Sequence, residues 1–272
     1  MKLSRLLFPI LAVYFYYTPC FAQAGISASP AKMYYRIPSG GTGSQKVTIS
    51  NPNRIDLDVG VSMGDWNYDS LGVNNLVDPG TLKISCADWI QVFPGSFFTI
   101  LPDERKELEI VLNVPANADK SIPVRTAMLY FTQLNAGDAK AENGAAIKVS
   151  VRMGIKVYHS FTPMDERNVD IINFVDQQKT DPERKPYTEL ELKCENTGKI
   201  WLDGTVQWEL LNTKSGEKIK LTQDNFLSLP GDKRTIKKIL PPSLKRGVYA
   251  ATATINYGNK EELKIAELEF EY

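Results

Sequence analysis

The chain has 272 residues with 32 basic and 32 acidic side chains, so its formal net charge is zero. A balanced charge gives no electrostatic reason to expect binding to nucleic acid or to an anionic membrane surface. Hydrophobic residues make up 43% of the chain, which is enough for packed cores and too much for a disordered protein. The length favours two domains of ordinary size.

The first 24 residues have the layout of a secretory signal peptide. Lys2 and Arg5 precede an apolar run at residues 6–17, and the small residues Ala22 and Ala24 follow with the spacing that signal peptidase requires. The apolar run is shorter than the roughly 20 residues that a membrane-spanning helix needs. We therefore expect export, cleavage after Ala22 or Ala24, and no membrane span in the mature chain.

From residue 26 onward, apolar and polar residues alternate in short runs that are separated by turn residues. Alternation with a period of two is typical of strands with one buried face, and no segment keeps a helical period over several turns. Seven runs precede residue 161, which is the count and spacing of an immunoglobulin-like sandwich. These runs are residues 26–37, 44–51, 56–63, 87–94, 106–115, 125–133 and 145–160.

A second set of seven alternating runs follows the polar segment 159–168, which we interpret as a linker. The sequence therefore predicts an all-β chain of two tandem immunoglobulin-like β-sandwich domains, residues 25–158 and 169–272. Cys86 and Cys194 fall in different domains, so two free buried thiols are expected. The runs of the second domain are residues 169–175, 187–196, 204–212, 217–221, 234–240, 247–257 and 263–272.

The two halves share two local patterns. SNPN at residues 50–53 and ENTG at residues 195–198 each follow an alternating run. LPDERKELEI at residues 101–110 matches LPGDKRTIKKI at residues 229–239 in its turn and in the strand that follows. These patterns indicate two related sandwiches rather than a repeat array.

The run AAIKVSVRMGIKVYHS at residues 145–160 is unusually long. Strands in globular proteins commonly have five or six residues, whereas this run has 16. Its odd-numbered residues could simply face the core of the domain while the others face water. Alternatively, the strand could serve two sheets. The apolar face has Ile147, Val149, Val151, Met153, Ile155 and Val157, and the other face has Lys148, Ser150, Arg152 and Lys156.

No pattern in the sequence indicates catalysis, a metal site or a cofactor. The single histidine, His159, lacks the companion residues of a catalytic triad, and no CxxC, HExxH, calcium loop or phosphate loop is present. Asp56, Asp58, Asp65 and Asp69 are expected to be solvated carboxylates. The four tryptophans are expected to be buried in the sandwiches rather than exposed on a sugar-binding platform. We therefore expect a binding protein that is not an enzyme.

Two segments carry a resemblance to a known family. IKVSVRMGIKVYHSF at residues 147–161 is similar to the last strand of the family's first domain, and ISASPAKMYYRIPSG at residues 26–40 is similar to its first strand. Between them, VTISNPNRIDLDV, DWIQVFPGSFFTILPDERKELEIVL and MLYFTQ follow the family's order. The chain resembles, over roughly residues 25–160, the PapD-like periplasmic chaperones of the chaperone/usher type, which assemble pili.

The resemblance implies a boomerang of two immunoglobulin-like domains that works in the periplasm. Such a chaperone binds pilin-like or other surface subunits that lack one strand, and it donates a strand of its own. Ile147, Val149 and Val151 match the donor positions. Lys156 and Lys32 match the two cations that bind the carboxylate at the subunit's carboxy terminus, with Lys32 standing where the family has an arginine.

The sequence leaves other interpretations open. The family implies an outer-membrane usher as a further partner, but its Arg-Pro pair after the aromatic residue is absent here and the second domain matches poorly. The chain could instead be a non-catalytic envelope protein with a structural or adhesive role in a surface assembly. Lys32 and Lys156 could equally be solvated surface lysines.

Overall fold

A computed structural model describes residues 25–135, 137–140, 146–161, 166–258 and 262–272, without the side chains of residues 137–140 and 146–147. The predicted signal peptide lies outside the described residues. Apart from one short 3₁₀ helix, Ala87–Trp89, the regular elements of the described chain are strands. Within the described ranges, no helix has the length and apolar character that a membrane crossing requires.

The first sandwich packs two sheets face to face. Its strands are β1 (Ser27–Ser29), β2 (Lys32–Arg36), β3 (Thr42–Ser50), β4 (Leu57–Tyr68), β5 (Asn74–Val77), β6 (Ile90–Phe93), β7 (Phe97–Ile100), β8 (Arg105–Asn113), β9 (Val124–Gln133), β10 (Gly137–Lys140), β11 (Ala146–Val149) and β12 (Arg152–Ser160). One sheet has the order β1-β3-β8-β6 and the other β2-β12-β9-β4-β5, with β7 also paired to β4. β10 and β11 form a separate ribbon.

The second sandwich has the same two-layer construction. Its strands are β13 (Asp170–Thr180), β14 (Pro186–Glu195), β15 (Leu202–Asn212), β16 (Lys218–Lys220), β17 (Asp224–Ser228), β18 (Lys233–Ile239), β19 (Val248–Asn256) and β20 (Lys264–Glu271). The sheet orders are β13-β14-β18 and β16-β15-β19-β20, with β17 also paired to β15. Each sandwich has its own core, so the predicted all-β fold of two sandwich domains is confirmed.

The repeated sequence patterns correspond to a repeated structure. Asn51 and Asn196 are both buried after a strand, and each donates its side-chain amide to the backbone oxygen four residues later, Ile55 O at 2.8 Å and Ile200 O at 3.0 Å. Each side-chain oxygen also accepts a backbone N–H two residues on. A buried amide that satisfies several backbone groups fixes the local turn, so the shared motif has the same structural role in both sandwiches.

The prediction of one continuous strand over residues 145–160 is wrong. β11 ends at Val149 and β12 begins at Arg152. Val149 lies opposite Gly137 and Arg152 lies opposite Thr132, so the two strand pairs are offset by unequal numbers of residues. Ser150 donates its hydroxyl to Gln133 O at 2.5 Å, and Gln133 N donates to Val151 O at 2.8 Å. The unequal numbers of residues on the two paired strands interrupt the strand pairing, as in a β-bulge.

β12 also extends two residues into the segment that we expected to be linker. His159 is fully buried in this strand, with Nε2 at 2.9 Å from Ile37 O and edge-to-face contacts to Trp89 and Phe161. Burial lowers the pKa of His159, so the imidazole is neutral and part of the core. Cys86 and Cys194 are free and buried, as predicted.

Candidate functional site

β12 has a partner along the whole of one edge but along only part of the other. β9 pairs with every residue of Arg152–Ser160, whereas β2 pairs only with Lys156–Ser160. The chain before β2 cannot cover the rest, because β1 pairs with β3 in the opposite sheet. In the described part of the chain, β11 pairs only with β10. Residues 146–149 and 152–155 therefore present an open strand edge.

The apolar side chains of this edge become more exposed from Ile155 back to Val149. Ile155 is buried, and Met153 and Val151 pack against the core while partly exposed. Val149 is 41% exposed. The side chain of Ile147 lies outside the described residues, and the roles of these donor candidates stay a prediction.

Cationic side chains accompany the open edge on the other face. Lys148 is exposed, and the Arg152 guanidinium lies 3.6 Å from the centre of the Tyr130 ring and donates to Ser62 Oγ at 3.2 Å. Charged residues on an unpaired edge oppose unwanted pairing between copies of the chain. Their position is compatible with an edge that stays soluble while it is open.

Lys32 and Lys156 lie directly opposite each other in the parallel pair of β2 and β12. Lys32 Nζ is 3.6 Å from a carboxylate oxygen of Asp203, which belongs to the second sandwich. Lys156 Nζ donates to Tyr68 Oη at 2.9 Å and to Asn74 Oδ1 at 2.6 Å. The structure thus brings the two predicted anchor lysines together at the contact between the sandwiches.

The environment of Lys156 is unusual for a lysine. Its Nζ lies 4.2 Å and 4.4 Å from the ring centres of Trp66 and Tyr68, where the ring faces favour a cation. Burial and the neighbouring charge of Lys32 nevertheless lower the pKa of Lys156 to about 8. Lys156 is still mostly protonated at pH 7, so it remains a donor for an anion.

An aromatic cluster joins the two sandwiches beside these lysines. Tyr34 stacks on Tyr158 and on Trp201, with ring centres 5.0 Å apart in each pair, and Trp66 meets Tyr158 edge to face. Trp66 is fully buried in this cluster, as expected. Trp201 is partly exposed, so the expectation of a buried position is wrong for Trp201.

The aromatic cluster has a signal in the sequence. Tyr34 and Tyr35 are adjacent, as are Val157 and Tyr158, so an apolar or aromatic residue occupies both faces of each strand. A strand with two apolar faces is covered on both sides. Here the inner face covers the core of the first sandwich and the outer face meets the second sandwich.

No family model and no curated protein matches the chain. Among solved structures, it is similar to the class 5 fimbriae chaperone CfaA at 10% identity, covering 89% of this chain and 98% of that one, with a TM-score of 0.49.

Two further solved structures are similar to the chain at comparably low identity. The CsuC–CsuE chaperone–tip adhesion subunit complex of Acinetobacter baumannii has 13% identity over 89% of this chain and 98% of the matched chain, with a TM-score of 0.47. The E. coli chaperone DraB has 13% identity over 90% of this chain and 99% of its own, with a TM-score of 0.42. At such identities the similarity concerns the fold, which the strand order already establishes.

Proposed function

We propose that the protein is a periplasmic chaperone that binds fimbrial or other surface subunits by adding its open strand edge to the subunit's sheet. The observation that carries this proposal is the edge at residues 146–149 and 152–155, which has no partner strand among the described residues and ends at the lysine pair. An unpaired edge of this length is a hazard unless a partner covers it.

Strand addition explains how one protein can hold different subunits. Main-chain N–H and C=O groups along the edge supply affinity that depends little on the partner's sequence, and alternate side chains supply selectivity. Ile147, Val149 and Val151 are proposed to fill apolar pockets in the partner. The exposure of Val149 supports this role, because its side chain is not buried in the core of the first sandwich.

The lysine pair is proposed to fix the register of the partner. A terminal carboxylate can accept charge-assisted hydrogen bonds from the ammonium groups of Lys32 and Lys156. In the free protein, Lys32 forms an ion pair with Asp203, and Lys156 donates hydrogen bonds to Tyr68 and Asn74. A bound carboxylate would therefore replace neutral partners of Lys156 and compete with Asp203.

Partners and location belong to the same proposal. The Acinetobacter complex pairs a chaperone with a tip adhesion subunit, and another similar solved structure is a chaperone–tip adhesin complex of CFA/I fimbriae biogenesis. We infer protein subunits as partners here, an outer-membrane usher as a further one, and residence in the periplasm after removal of residues 1–24.

A photo-crosslinking residue at Val149 tests the proposal in the source organism's periplasm. A surface subunit should crosslink at Val149, and the same residue at exposed Ile265 in the second sandwich should give no such product. Serine at Ile147 and Val151 should abolish the product while the circular dichroism spectrum stays unchanged.

Two outcomes would contradict the chaperone proposal. Equal crosslinking at both positions would remove the special role of the edge. Recovery of the protein mainly in an insoluble envelope assembly, with crosslinks that survive the serine substitutions, would favour the alternative of a structural or adhesive envelope protein.

A further inference from the structure

The contact between the sandwiches leaves an open cavity of about 590 Å³. One wall is the pair of stacked rings of Tyr34 and Trp201, and Tyr34 is 43% exposed. The remaining walls include Arg36, Arg167, Ile200 and Asp203. An exposed aromatic wall next to guanidinium groups is a surface on which a further planar ring can stack.

The cavity adjoins the lysine pair. Tyr34, Trp201 and Asp203 line both the cavity and the narrow gap that contains Lys32. Lys32 Nζ is 3.6 Å from Asp203. A ligand whose carboxylate reaches Lys32 therefore has its neighbouring atoms at the mouth of the cavity.

The charges of the cleft favour an anionic ligand with an apolar body. Lys32, Arg36 and Arg167 surround the cavity and the gap, and Asp203 is the only acid that lines either of them among the described residues. In a chain with zero net charge, this local excess of cations is a specific feature rather than a general one.

We propose that this cavity selects the last residue of the bound subunit and takes an aromatic side chain there while the terminal carboxylate is held at Lys32. The inference rests on the proposed carboxylate anchor and adds the side-chain class that the anchor would accept. The ring would stack on Tyr34 and Trp201, and Arg36 at the cavity wall would lie beside it.

Titration of the isotope-labelled mature chain with three small probes tests the pocket. The probes are N-acetyl-glycyl-phenylalanine, N-acetyl-glycyl-alanine and the carboxamide of the first, and the indole resonances of the chain report binding. The phenylalanine acid should bind about tenfold more tightly than the alanine acid, because its ring buries more apolar surface. It should also shift the Trp201 indole resonance.

The three probes separate failure of the pocket from failure of the anchor. Equal affinity of the two acids, with loss for the carboxamide, would overturn the pocket and leave the anchor standing. A preference for the ring that is the same in acid and carboxamide would retain the pocket and overturn the anchor. Absence of binding by all three would overturn both.

Three variants add a second line of test. Tyr34→Ala should reduce the preference for phenylalanine over alanine to less than twofold, whereas Phe97→Ala, which removes an exposed ring elsewhere in the first sandwich, should leave it unchanged. Asp203→Asn should strengthen binding of both acids several-fold and keep their ratio, since Lys32 loses its competing carboxylate. A ratio that is unaffected by Tyr34→Ala would contradict the pocket.

Discussion

Gly72 of the first sandwich packs against the guanidinium group of Arg234 of the second. A Cβ atom on Gly72 would overlap Nη2 of Arg234. Arg234 also donates to the backbone oxygen of Asp69, and Thr235 N donates to Ser70 O at 2.8 Å. The turn that follows β4 is therefore a docking point between the sandwiches. It adjoins the aromatic cluster through Tyr68, whose ring centre lies 5.4 Å from the Arg234 guanidinium.

Gly72→Ala should loosen this contact, and Gly80→Ala is its matched control. Both glycines have a positive φ, +93° and +77°, so each alanine should cost about 1 kcal/mol of local strain. Only Gly72 has a side chain in the way, since nothing lies within 4 Å of the Cβ position at Gly80. Urea unfolding and small-angle scattering should show a larger loss of stability and a changed domain arrangement for Gly72→Ala alone. Equal effects would contradict the docking role.

Lys156→Met should change how stability depends on pH. The pKa of Lys156 is about 8 in the folded protein and 10.5 in its ordinary state, so the unfolded chain binds more protons between these values. The free energy of unfolding should therefore gain a contribution as pH rises from about 8 to 10.5, and lose it as pH falls through about 8. The methionine variant should lack this contribution.

Chemical denaturation at several pH values between 7 and 10 measures the effect of Lys156→Met. Exposed Lys120→Met, away from the open edge, serves as the control and should keep the pH dependence of the unsubstituted protein. If the free energy of unfolding depends on pH in the same way for Lys156→Met and the unsubstituted protein, burial does not lower the pKa of Lys156. In the same range, affinity for a carboxylate probe should fall as pH rises above about 8, because Lys156 loses its charge.

Asn51→Ala and Asn196→Ala should each destabilise one sandwich by about 2–3 kcal/mol, because each leaves buried backbone oxygens without a donor. Asn51 donates to Ile55 O and Ile100 O, and Asn196 donates to Ile200 O. Hydrogen exchange followed by mass spectrometry should locate the loss in the sandwich that carries the substitution. The exposed Asn75→Ala should have little effect. A loss spread evenly over both sandwiches would contradict separate roles.

Lys148→Val should increase self-association of the free protein. Lys148 is exposed on β11, and valine there would join Ile147 and Val149 in a continuous apolar run along an open edge. Lys193→Val is the control, because Lys193 is exposed on β14 but has strands paired on both sides. Light scattering over time should rise faster for Lys148→Val only. Similar rates for the two variants would indicate that surface charge, rather than the open edge, controls association.

The sequence predicts much of the fold because alternation reports which residues face a core. It could not predict the break at residues 150–151, since Val149, Val151 and Met153 keep the alternation across it. The interruption arises from the unequal numbers of residues on the two paired strands, which is a property of pairing between distant segments. The polar segment after His159 likewise favours a linker position for this residue, although its ring is fully buried.

The candidate site was predictable only in part. The resemblance named Lys32 and Lys156, but alternation alone does not specify that β2 and β12 pair in parallel with these residues opposite each other. Asp203 and Asn74 could not be found from the sequence, because their contacts depend on how the second sandwich and the turn after β4 meet this face.

The crossing of the chain between β1 and β2 determines how far a partner strand can run. A strand added to the open edge would pair with β12 on the same side as β2, so the two would lie end to end. β2 begins at Lys32. An added strand must stop where β2 begins. A chain terminus is the part of a protein that can stop there without turning away, and the two ammonium groups stand at that point.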